Sequence, residues 1–239
     1  MGRQDWRPGN MLYPVPAVLV TVADAGGRPN VFTVAWTGTV CSNPPMVSVS
    51  VRPERYSYHC MEETGEFVIN LTTRRLAYAA DYCGVKSGRD VDKFAQMKLT
   101  ALPAKLVRPP LIGESPVSLE CRVTQKVSLG SHVMFLAEVV SVSVDEKYLD
   151  SQNRFHLEWA DPVVYSHGTY FDLGKAIGTF GYSVAGKKAA VRTGPGRGKT
   201  TAAKRMRGAG RARGGPDRTG RRRSCAIVPE PPALPQGAI

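Results

Sequence analysis

Arg52 and Arg55 bracket a proline and a glutamate and lie next to Ser57 in the run Val51-Arg-Pro-Glu-Arg-Tyr-Ser57. Forked guanidinium donors, a hydroxyl and nearby backbone N–H groups are the donor set that holds a phosphate monoester. Upstream, Thr33, Thr37 and Thr39 alternate along Asn30–Val40, with Trp36 and Gly38 among them. Hydroxyls and a glycine on an extended run can hydrogen-bond a flat ring, and Trp36 can stack on it or pack elsewhere. Asn70 ends the apolar run Gly65-Glu-Phe-Val-Ile-Asn70 and is placed to cap the strand or touch a ligand. Each feature has an ordinary reading: a solvated turn, strand threonines, a capping asparagine. Together they suit a planar, multiply hydrogen-bonding ligand with a phosphate tail.

Competing chemistries fare worse. Gly194-Pro-Gly-Arg-Gly-Lys-Thr200 invites a phosphate-loop reading, but Thr193 stands where the first glycine is needed, and no strand precedes it. No Gly-x-Gly-x-x-Gly follows a strand. His59, His132, His156 and His167 are scattered, and only His156-x-Glu158 approaches a ligand spacing, so no metal is expected. No Gly-x-Ser-x-Gly nucleophile motif is present.

The formal net charge of +12 over 239 residues looks like a nucleic-acid signal until it is located. Residues 184–239 hold 14 Lys and Arg against 2 acidic residues, which leaves 18 basic and 18 acidic groups in residues 1–183. The remainder of the chain is formally neutral, so net charge does not identify its partner. Cys41, Cys60, Cys83, Cys121 and Cys225 form no Cys-x-x-Cys and are odd in number, which fits reduced thiols in a cytoplasmic protein. The N-terminus lacks the apolar stretch of a signal peptide, and no run reaches the ~20 apolar residues of a spanning helix.

The elements that must position these residues are mostly strands. Ala17–Ala23 is β-branched and ends at the turn Asp24-Ala-Gly-Gly27, with Asn30–Val40 as its hairpin partner. Ser42-Asn43-Pro44-Pro45 turns the chain into Val47-Ser-Val-Ser-Val51, whose strict alternation marks a half-buried strand. Tyr56–Thr64 reads as a helix, Gly65–Asn70 as a strand, Arg74–Cys83 as a helix and Gly84–Phe94 as a polar loop or short helix. Val117–Lys126 and Val133–Val144 are alternating strands joined through Gly130-Ser-His132, and Val163–Tyr165 adds a short last strand. Closely spaced antiparallel strands with short helices favour a closed barrel over a βαβ layout. Residues 1–184 are expected to form this domain. Residues 185–239, rich in Gly, Arg and Pro, are expected to be a disordered tail. That tail reads as a solvated appendage, as an Arg/Gly tether for nucleic acid, or as a non-native extension of a GC-rich gene.

The ordered blocks resemble the flavin reductase-like, FMN-binding split-barrel family, closest to its flavoredoxin branch. They are Tyr13–Val22, Asn30–Ser57, Thr64–Leu71, Asp81–Phe94, Ser128–Val139 and Tyr170–Val184. The resemblance implies a mainly β fold, a six-stranded Greek-key split β-barrel with short helices, that forms a homodimer with FMN near its interface. It implies that Ala35, Trp36, Thr37, Gly38 and Thr39 line the isoalloxazine ring, and that Val51, Arg52, Arg55, Tyr56 and Ser57 hold the ribityl phosphate. Asn70 and Leu71 would approach the ring or ribityl chain, and Lys93 and Phe94 would close over the flavin. His132 matches a position near the nicotinamide in related reductases, although Ser131 departs from their motif. The implied activity is hydride transfer from NADH or NADPH to FMN, with a partner oxygenase or other acceptor downstream. The alternative is an electron-transfer or flavin-carrier protein without nicotinamide activity. Hydride transfer to a flavin requires no protein acid or base, so the lack of a catalytic constellation agrees with this. Nucleic-acid binding through the tail ranks low.

Overall fold

The computed structural model describes residues 2–184, and the 185–239 tail lies outside them. Residues up to Thr179 form one compact unit; Phe180–Ile239 fall in a second, described only as far as Val184.

Along the chain come β1 (Val15–Pro16), β2 (Val18–Ala23), β3 (Pro29–Val34), β4 (Thr37–Ser42), β5 (Pro45–Val51), α1 (Tyr56–Thr64) and β6 (Glu66–Leu71). A 3-10 turn at Arg74–Leu76 leads into α2 (Ala77–Val85), followed by α3 (Lys93–Met97), β7 (Ala101–Leu102) and β8 (Leu111–Ile112). The long hairpin β9 (Val117–Ser128) and β10 (Val133–Val144) precedes β11 (Val163–Ser166) and β12 (Thr169–Asp172). The main sheet is antiparallel, ordered β3-β2-β6-β9-β10-β5-β4.

This sheet has seven segments where six strands were expected. The reason is local. The stretch read as one strand, Asn30–Val40, breaks at Ala35-Trp36: its first part pairs with β2, its second with β5. The two edges of the sheet are thus consecutive pieces of one bent strand. Trp36 C=O accepts the Ser50 N–H at 2.9 Å, tying the corner to β5. Counted as one, the bent strand restores the six of a split barrel. The small sheets β1-β11-β12 and β7-β8 lie beyond the expected count.

Alternation fills the barrel. Val47, Val49 and Val51 are buried while Ser48 and Ser50 are half-exposed. They join Val18, Val20, Val22, Phe32, Val34, Phe67, Ile69, Cys121, Phe135 and Ala137 in one interior, closed at one end by Cys60 and Met61 of α1. A second core forms outside the sheet, where Leu19 and Val31 meet Leu76, Ala79, Ala80, Cys83, Phe94 and Leu99. β2 is therefore covered on both faces, and all six of its residues are buried. This explains why it is apolar at every position but Thr21, whose hydroxyl donates to Pro110 C=O. α2 and α3 sit against the strands that lead to the Ala35-Trp36 corner, which brings Cys83, the following loop and Lys93 beside it.

Among the described residues no helix is long and apolar enough to cross a membrane. Cys41, Cys60, Cys83 and Cys121 are free thiols.

Candidate functional site

A cleft of about 620 Å³ opens at the corner, within the roughly 300–1,000 Å³ of small-molecule sites. One wall is the end of β3 with the corner, Phe32 to Trp36. The floor is Ser50 and Val51, then Arg52, Glu54 and Arg55 of the turn, then Tyr56 and Ser57 opening α1. The opposite wall runs from Cys83 and Gly84 through Lys86, Ser87, Gly88 and Arg89 to Lys93, and His132 stands at the β9–β10 turn.

Of the residues singled out from sequence, Ala35, Trp36, Val51, Arg52, Arg55, Tyr56, Ser57, Lys93 and His132 come together here. The others do not. Thr37, Gly38 and Thr39 lie on β4, past the bend, and Thr37 Oγ1 donates to Ser48 C=O at 2.7 Å within the sheet. Leu71 packs against the barrel interior and Phe94 belongs to the outer core. Asn70 is fully buried: its Nδ2 donates to Leu19 C=O (3.1 Å), and its Oδ1 accepts Ile112 N–H (2.9 Å) and the Ser118 hydroxyl (2.7 Å). Its amide is spent on joining β2, β6, β8 and β9, which leaves it no donor for a ligand.

The residues read as phosphate-holding, Arg52, Arg55 and Ser57, line this cleft. Arg55 precedes α1 with extended backbone and no side-chain cap; Tyr58 N–H donates to Arg55 C=O at 3.1 Å, which leaves the N–H groups of Tyr56 and Ser57 at the helix start for an anion. Arg55 Nη1 donates to Gly84 C=O at 3.3 Å, linking the turn to the opposite wall. Ser57 is buried and its Oγ accepts Asn30 Nδ2–H at 2.8 Å. Arg52 is matched by Glu54 at 3.5 Å.

Lys93 is the unusual group. It is 4% exposed, and its Nζ donates to Val31 C=O (2.8 Å) and Cys83 C=O (2.9 Å). An ammonium has three donors, so two carbonyls leave one for a ligand. Burial pulls its pKa from 10.5 down to about 8; the neighbouring Cys83 thiol opposes the shift and the Arg55 charge adds to it. Burial in turn pushes the Cys83 thiol up to about 11. Lys93 is thus cationic below about pH 8 and neutral above it. The affinity for an anionic ligand should fall as pH rises through that point, by roughly tenfold on the scale of one charge-assisted hydrogen bond. Fluorescence titration with FMN between pH 7 and 9.5 checks this, and in Lys93→Met the step should vanish. Burial and the Arg52 charge together lower the His132 pKa, favouring neutral imidazole, and its Nδ1 sits 2.9 Å from Ser131 Oγ.

The sequence reading missed the wall between Gly84 and Arg89. Its signal was present as two glycines, two cations and a serine within six residues. The structure shows why glycine is needed: a Cβ on Gly88 would fall 2.3 Å from Asn30 Oδ1.

A family model described as flavin reductase like domain matches residues 10–174. Among solved structures, the flavoredoxin of Desulfovibrio vulgaris (Miyazaki F) is 31% identical with a TM-score of 0.72, covering 77% of this chain and all of its own. The flavoredoxin from Methanosarcina acetivorans is 26% identical with a TM-score of 0.70 over the same shares. A Streptomyces pristinaespiralis protein named NADH:riboflavin 5'-phosphate oxidoreductase is 28% identical over 142 residues, 59% of this chain and 78% of its own length.

Proposed function

The chain belongs to the flavin reductase-like family, and from that footing we propose that it holds FMN in the corner cleft and reduces it with NADH or NADPH. The observation that carries this reading is the joint presence, around one cleft, of an uncapped helix start, Arg55, Ser57 and the buried Lys93 ammonium. These groups fit a phosphate monoester, which needs charge and several N–H or O–H donors at once. Val34, Ala35, Trp36 and Val51 give the adjoining wall a largely apolar face for a planar ring. When bound, FMN supplies the ring that accepts hydride from the nicotinamide.

The chain's own residues do the rest. Arg55 and the α1 amides anchor the tail, and Asn30 fixes the Ser57 hydroxyl through its 2.8 Å bond. Lys93 adds positive charge from a site whose carbonyl partners stop it from moving. His132, at the cleft edge, is the residue available to a nicotinamide-side group. In this reading two chains form a homodimer, and the protein is cytoplasmic with an oxygenase or another electron acceptor as partner.

The test is direct. The full-length protein should bind FMN, show its visible absorbance and oxidise NADH or NADPH with added flavin under steady-state conditions. A protein that neither binds FMN nor turns over either nucleotide would sink the proposal. A second reading is favoured by the 31% identity to a flavoredoxin: electron transfer by bound FMN with no nicotinamide activity. Flavin absorbance without nucleotide oxidation selects it.

A further inference from the structure

We propose that a second cavity, on the far side of α2 and α3 from the corner cleft, is a binding site for an aromatic carboxylate. The inference goes beyond the flavin reading and does not depend on it. The cavity measures about 360 Å³, inside the range of small-molecule sites. It shares no lining residue with the cleft. Tyr78 and Ala79 of α2 and Met97 of α3 line the cavity, whereas Cys83 and Lys93 of the same two helices line the cleft. About one helical turn, roughly 6 Å of rise, separates the two sites along each helix.

Charge is the first observation. Arg75, Lys98 and Lys147 bring cations to the cavity, and Glu114 brings an anion. Lys147 is paired with Asp145 and lies 4.8 Å over the Tyr148 ring. The Glu114 carboxylate accepts the Thr100 N–H at 3.0 Å and the Thr100 hydroxyl at 2.7 Å. The side chains of Arg75 and Lys98 have no hydrogen bond or ion pair among the described residues. With Lys147 neutralised by its own partner, Arg75 and Lys98 against Glu114 leave an excess of one positive charge. A single carboxylate matches that excess and can accept from the guanidinium fork.

The apolar surface is the second observation. Leu76, Ala79 and Leu99 are buried residues that line the cavity, and Tyr78 and Tyr148 add two aromatic rings. Tyr78 is 77% exposed, so its ring is surface that a flat ligand would cover by stacking. The backbone supplies the third. Lys98 closes α3 at φ 52, in the left-handed region where a helix end ordinarily holds glycine. Glycine would make that turn without strain. A lysine there puts a cation at the cavity that glycine could not supply.

The probe is 3-phenylpropionate, and its neutral amide, 3-phenylpropionamide, is the control. Each is titrated into the full-length protein by calorimetry, without flavin and with saturating FMN. The acid should saturate one site per chain and bind at least tenfold more tightly than the amide. Its affinity should change less than threefold when FMN is present. The double variant Arg75→Gln/Lys98→Gly should lose tenfold or more of that affinity. Its thermal midpoint should stay near the wild-type value, because glycine suits the backbone at position 98, and its FMN affinity should change less than threefold. Arg75→Gln alone, at an exposed position, should lose at least threefold. No saturable binding, an amide that binds as well as the acid, displacement of the acid by FMN, or unaffected variants would each overturn the proposal. Parallel loss of acid and FMN affinity in the variants overturns it too, because the two sites would not then be separate. If the acid binds as expected and wild type binds no FMN, the flavin reading alone has failed.

Discussion

Arg55→Ala should weaken FMN binding by roughly 1.5–3 kcal/mol, the scale of hydrogen bonds to charged groups, or about 10- to 150-fold in Kd. Arg55 immediately precedes α1, and it lines the same cleft as Tyr56 and Ser57, which open the helix. Its bond to Gly84 C=O at 3.3 Å keeps it across the cleft mouth. In the free protein the side chain is exposed, so the variant should fold normally and its loss should show in the ligand alone. Equilibrium titration of apoprotein with FMN gives the number. The same titration with riboflavin, which lacks the phosphate, should show little difference between wild type and variant. An unchanged FMN affinity would place the phosphate elsewhere.

Asn70→Leu should cost folding stability instead, about 3–5 kcal/mol. The substitution strands three buried groups: Leu19 C=O, Ile112 N–H and the Ser118 hydroxyl. Each unsatisfied buried group costs roughly 1–3 kcal/mol, and the apolar side chain returns part of the sum. Urea unfolding should show a lower midpoint with the slope retained. FMN affinity per folded molecule should stay at the wild-type level, because Asn70 touches no part of the cleft. A stable variant with impaired flavin binding would reverse the assignment of this residue.

These two residues mark what was legible in the sequence. Arg55 was legible because its chemistry is local: Pro53, Ser57 and the helix start lie within a few positions, and sequence shows local geometry. The role of Asn70 in joining strands was not legible because its partners are 51, 42 and 48 residues away. A polar residue at the end of an apolar strand looks the same whether it meets a ligand or three distant backbone and side-chain groups. The barrel strands followed the same logic. Val47, Val49 and Val51 declared their buried face by alternation, and β2 declared two covered faces by a run that is apolar except at Thr21. The bend at Ala35-Trp36 carries neither glycine nor proline. It is imposed by two different pairing partners, β2 and β5, which no local signal announces. Thr37 and Thr39 are absent from the cleft lining for that reason: past the bend, the strand changes neighbours.

The bent strand also fixes when the site can come into existence. β3 is paired through β2, whereas β4 is paired through β5, and β5 relies on β10 on its other side. A ribosome that has released only the first hundred residues has delivered every cation of the cleft, yet neither β9 nor β10. The seam cannot shut until Val133–Val144 has emerged and docked. A nascent chain should therefore be unable to retain flavin until synthesis is well past its midpoint. Cofactor supply then acts on the nearly finished barrel, trapping it after closure and giving no help to the early hairpins. Stalled chains cut just before and just after β10 would differ sharply in flavin retention.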